Sequence, residues 1–78
     1  MGSTICEAFG RNLRSIRTSK GFSQERLAHE AGIDRSYVGK IERGEVNITL
    51  EKIYMLAECL ECRPDELIPR DIIPIRGS

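Results

Sequence analysis

Apolar residues recur along this chain at helical spacing, in short blocks punctuated by glycine and preceded by small polar residues. From Ile5 to Lys20 they fall at Ile5, Phe9, Leu13 and Ile16, steps of four, four and three that make one stripe of an amphipathic helix, which Gly21 stops. Ser23 is a good N-cap for a second helix starting at Gln24, with Leu27, Ala28 and Ala31 inward and Gly32 as its end. Asp34 is the next N-cap candidate, opening a helix that runs to Arg43 with Val38 and Ile41 as its apolar pair and Gly44 as its stop. Thr49 caps a fourth helix striped at Leu50, Ile53, Leu56, Ala57 and Leu60 and broken before Pro64. Pro64 suits the first position of a one-turn fifth helix through Ile68, halted by Pro69. No stretch alternates convincingly with the period of a strand, so the pattern predicts an all-α fold.

With 78 residues, 40% of them hydrophobic, there is room for one domain and one small core. Trp is absent and only two Phe and two Tyr occur, so aliphatic side chains must build that core. The expected domain spans residues 5–68. Residues 69–78 form an apolar, proline-punctuated tail expected to be extended or disordered unless a partner covers it. The opening Met-Gly-Ser and the closing Arg76, Gly77 and Ser78 have the composition of vector-derived ends. No apolar run approaches the roughly 18 residues that span a bilayer, and no signal-peptide pattern opens the chain, so the expectation is a cytoplasmic protein without membrane association. Net charge is zero, but the halves differ in sign. Residues 1–43 carry eight Lys or Arg against five Asp or Glu, a net of +3, and residues 44–78 carry four against seven, a net of −3. A fold that segregates the halves offers one cationic face to phosphates.

The informative stretch is Phe22 to Gly44, FSQERLAHEAGIDRSYVGKIERG, where two short helices meet at a glycine-containing turn too tight to leave them antiparallel. It resembles the Cro/repressor (XRE-like) class of helix-turn-helix proteins at Gln24, Leu27, Ala28, Gly32, Val38, Ile41, Glu42 and Gly44. Five helices in the matching order extend the resemblance over about residues 5–68 and imply a compact, lambda-repressor-like, five-helix DNA-binding domain. The residues carry physical reasons of their own. Ala28 must be small where the third helix crosses, Gly32 can adopt positive φ, and burial of Val38 and Ile41 leaves Arg35, Ser36, Gly39, Lys40 and Arg43 outward.

The resemblance implies that Arg35 and Ser36 read base edges, with Lys40 one turn further on. Arg35 is the leading reader, because its planar fork can donate two bonds to guanine O6 and N7, although a charged helix face is often simply solvated. By the same resemblance Gln24 clamps a phosphate at a helix N-terminus, and Tyr37, Arg43 and Asn47 are further phosphate candidates; Tyr37 could equally pack its ring over the turn. Arg17 and Glu42 correspond to a partly buried structural ion pair. Gly39 inside the third helix costs around 1 kcal/mol against Ala, either because DNA comes close or because the loss is tolerated. Within the class, Asp34 to Thr49 looks most like the controller proteins of restriction-modification systems, sharing an Asp-Arg-(Ser/Thr)-Tyr start and a Glu-Arg pair before Asn47. Val46 and the short fifth helix depart from that subtype.

Cys6, Cys59 and Cys62 are an odd number and read as reduced thiols. Cys59 and Cys62 form one C-x-x-C, and with Cys6 and His29 could supply four zinc ligands, but a second spaced pair is missing and small apolar packing at a helix end is the favoured role. With a single His and no paired nucleophile, neither an enzyme nor a cofactor nor a small-molecule ligand is expected. The sequence thus predicts a regulator that binds double-stranded DNA at a palindromic operator as a homodimer. Met55, Leu67, Ile68, Ile72 and Ile73 are dimer-surface candidates, Leu67 having the monomer core as its alternative. The rival is a protein-interaction module, such as an antitoxin or adaptor, on the same fold.

Overall fold

The computed structural model describes residues 4–70. Five helices follow in order: α1 Thr4–Ser19, α2 Gln24–Ala31, α3 Arg35–Glu42, α4 Leu50–Leu60 and α5 Pro64–Leu67, with no strand among the described residues. Two of the three expected polar caps act through their side chains. Ser23 accepts from the backbone N–H of Arg26, and Thr49 from that of Lys52. Asp34 occupies the N-cap position of α3 with extended backbone, but its carboxylate makes no capping hydrogen bond.

Each of the first four helices closes with the same pair of backbone bonds. Phe22 and Gly21 donate back to Arg17 and Thr18, Ile33 and Gly32 to Ala28 and His29, Glu45 and Gly44 to Lys40 and Ile41, and Cys62 and Glu61 to Ala57 and Glu58. This closure needs one residue at positive φ. Glycine supplies it three times; at the end of α4 Glu61 takes it instead, at φ 54°.

Leu13, Leu27, Val38, Ile41, Leu56, Leu60 and Leu67 are almost entirely shielded from solvent and, with Phe9, Ala28, Ile53 and Ala57, form one core to which every helix contributes. Three apolar assignments differ from the sequence reading. Ile5 is 46% exposed and Leu50 72% exposed, each in the first turn of its helix. Leu67 is fully buried, so its side chain belongs to the monomer core and has no surface to give a dimer. Ile72 and Ile73 lie outside the described residues.

Two glycines set how α3 sits against α1. A Cβ on Gly10 would strike the carbonyl oxygens of Ile41 and Glu42, and one on Gly44 would lie 2.7 Å from Glu7 Cα and 2.8 Å from its N. Backbone therefore meets backbone where α3 ends. The contact holds the inner face of α3 against the core and leaves its opposite face outermost.

Candidate nucleic-acid interface

At 3.6 residues per turn, Arg35, Gly39 and Arg43 form a column along α3, with Ser36 and Lys40 in the adjacent column and Val38 and Ile41 buried on the far side. Arg35, Ser36, Lys40 and Arg43 are all exposed. Among the described residues, Arg35 and Ser36 make no side-chain hydrogen bond or ion pair, so no part of the described chain plugs the start of this face. Tyr37 is half-buried against the core, with the Lys52 ammonium 5.6 Å above its ring centroid. Packing therefore occupies the ring whatever the hydroxyl does. Asn47 is exposed in the loop between α3 and α4, where its Oδ1 accepts from Cys6 Sγ at 3.2 Å.

Behind this face lies an ionic cluster. Arg17 donates from Nε to Glu42 Oε2 at 2.6 Å and from Nη2 to Oε1 at 3.1 Å, a fork-on-fork pair, while its Nη1 donates to the Phe22 carbonyl at 2.8 Å. Gln24 adds a fourth bond, Nε2 to Glu42 Oε1 at 2.9 Å. The Arg17 and Glu42 side chains are only 9% and 4% exposed, and among the described residues no buried side-chain polar atom lacks a partner. One carboxylate thus joins α1, the start of α2 and the end of α3, and its Arg17 partner ties in the α1–α2 turn. The carboxylate also fixes the Gln24 amide at the N-terminus of α2 while leaving that nitrogen a second hydrogen.

The end of the outward column is held differently. Arg43 reaches Glu45, Nε to Oε2 at 2.7 Å and Nη2 to Oε1 at 3.4 Å, with both side chains exposed. Its guanidinium reaches back beside Gly39: a Cβ there would meet Arg43 Nη1 at 3.1 Å, Cζ at 3.9 Å and Nη2 at 4.0 Å. Gly39 is buried although it sits on the outward arc. Glu45 was not singled out in the sequence, although an acid two residues beyond an expected phosphate ligand, just past a glycine stop, was available as a signal.

A helix-turn-helix family model, HTH_3, matches residues 13–67. The chain belongs to that family. Among its relatives, the control protein C.SmaI of Serratia marcescens is 39% identical over 66 residues, covering 85% of this chain and 79% of that protein. The control protein C.BamHI of Bacillus amyloliquefaciens is also 39% identical, over 69 residues, covering 87% and 85%. In three dimensions the HTH_3 chain is similar to the restriction-modification controller protein C.AhdI of Aeromonas hydrophila, with a TM-score of 0.78 and 51% identity over 81% of this chain and 96% of that one. Membership makes it a DNA-binding regulator domain of the Cro/repressor type, with α2 and α3 as the helix-turn-helix pair.

Other polar features of this HTH_3 domain are less organised. Cys59 and Cys62 are half-buried beside the core, and burial, followed by nearby carboxylates, pushes both thiols above the usual cysteine range. His29 is exposed on α2. Among the described residues no group of three or more His, Cys, Asp or Glu gathers as a metal site would require, and no helix is long and apolar enough to cross a membrane.

Proposed function

We propose that this domain binds a palindromic operator as a homodimer, with α3 in the major groove and Arg35, Ser36 and Lys40 toward base edges. The observation that carries the reading is the outer face of α3: Arg35, Ser36, Lys40 and Arg43 are exposed on it, and the described chain leaves Arg35 and Ser36 unobstructed. Arg35 is the principal reader, since its fork matches guanine O6 and N7. Gln24 contacts a phosphate at the start of α2, its amide orientation set by Glu42. Arg43, Asn47 and the Tyr37 hydroxyl make further backbone contacts. They position the domain and do not specify sequence. Likeness to three proteins named as controllers supports a control role of the same kind, which belongs in the cytoplasm with the DNA it acts on.

One domain of this size makes few contacts, and two-fold operators match two-fold proteins. The dimer surface is the outer side of α4 and the segment after α5. Leu50 and Tyr54, 72% and 63% exposed, line one shallow apolar cavity with the sequence candidate Met55, while Ile68, also exposed, lines a separate one with Ile5 and Ile48. Selection from random duplexes tests the whole reading. It should return an inverted repeat with half-site centres about 34 Å apart, bound by a dimer in sedimentation and weakened steeply by salt. Recovery of no preferred duplex, or binding indifferent to salt, would instead favour the rival, a protein-interaction module using the Leu50 and Tyr54 patch.

A further inference from the structure

Three observations meet at the C-terminal end of α3. The Glu45 backbone is held in place, because its N–H closes the helix on the Lys40 carbonyl while Gly44 turns the chain at φ 76°. From there its carboxylate takes the Arg43 guanidinium with two oxygens, as a phosphate would. The Arg43 guanidinium, though exposed, passes beside Gly39, in the column that continues from Arg35. The Glu45 carboxyl is held below the usual range, first by the Arg43 hydrogen bond and then by the positive charges of Arg43 and Lys40. An exposed ion pair of this kind contributes little to folding, so stability does not explain its geometry.

We propose that Glu45 is a specificity-determining residue that occupies Arg43 in place of a DNA phosphate and yields it only when the domain is seated in register on its operator. This rests on the reading of α3 as the DNA-facing helix. Nonspecific binding comes almost wholly from phosphate neutralisation, so withholding one cation weakens it by a whole contact. In the seated complex a phosphate fixed by the other contacts displaces Glu45, and the operator retains its full set. Gly39 serves the same arrangement, since any Cβ there would press on the guanidinium.

The test compares wild type, Glu45→Gln, Arg43→Ala and the double variant on a random-sequence duplex and on the duplex recovered by selection, across a salt series. Each phosphate contact steepens the log–log salt slope by about 0.9, worth about eight-fold in affinity at 0.1 M salt. Glu45→Gln should therefore tighten random-duplex binding by about that factor and steepen its slope by about 0.9, with the operator slope unchanged. In the Arg43→Ala background the same substitution should change the random-duplex slope by nothing measurable. An unchanged random-duplex slope in Glu45→Gln overturns the proposal, as does an equal gain on the operator or a gain that persists without Arg43. Should wild type bind neither duplex at low salt, the regulator reading fails first, and the two failures are distinguishable.

Discussion

Glu42→Ala removes the carboxylate on which three helices converge. It strands the Arg17 guanidinium, whose side chain is 9% exposed and keeps only the Phe22 carbonyl, and it deprives the Gln24 amide of its acceptor. Breaking a buried pair from one side costs about 3–5 kcal/mol. A domain of 78 residues has roughly 4–12 kcal/mol of total stability, so the loss is a large part of it. At about 4–8 °C per kcal/mol for this size, the melting temperature should fall by at least about 12 °C. Thermal melts followed by circular dichroism, with urea midpoints alongside, measure it. Replacing both partners with apolar residues, Arg17→Met with Glu42→Leu, should recover most of the loss, because no buried charge is left unpaired. A fall of less than about 4 °C in Glu42→Ala, or a double variant no better than the single, would mean that no buried charge is stranded at this site.

Glu61→Gly relieves a side chain held at positive φ, a penalty of about 1–2 kcal/mol, partly offset by the greater freedom of glycine in the unfolded chain. Its melting temperature should rise by a few degrees, and a fall would show that the Glu61 side chain matters for another reason. Gly10→Ala should do the opposite of an ordinary helical Gly→Ala change. The new Cβ strikes the carbonyls at the end of α3, and overpacking of this kind costs about 1–3 kcal/mol, so urea midpoints should drop; a gain would mean that α1 and α3 separate freely.

Most of the architecture was legible in the sequence because local rules and tertiary packing agree there. Ser23 and Thr49 cap where short polar side chains precede apolar periodicity, and Gly21, Gly32 and Gly44 end helices where a left-handed residue is needed. Glu61 was not legible as a helix end because it fills the same conformation without being glycine. Periodicity placed Leu50 and Ile5 on the inner stripes, but it does not say how completely a helix's first turn is covered, and both are exposed there. Leu67 shows the converse, an apolar residue on a one-turn helix whose burial depends on α5 folding back onto the core. Gly10 was opaque because the element it touches is 31 residues away in the chain. At the interface, outward residues followed from inward ones and the Arg17–Glu42 pair followed from the resemblance, while two further carboxylate contacts did not. Glu42 holds Gln24 and Glu45 holds Arg43 through side-chain geometry that spacing alone does not encode.

If the start of α3 reads base edges, Arg35→Ala is the substitution that exposes it. Affinity should be measured for wild type and variant on the selected duplex and on its single-base-pair substitutions at one fixed salt concentration. Loss of a bidentate guanine contact should remove about 1–3 kcal/mol of discrimination, roughly 5- to 150-fold, at one position per half-site, with random-duplex affinity changing far less. A uniform loss on every duplex, cognate or not, would instead make Arg35 a phosphate contact and leave α3 without its principal base reader.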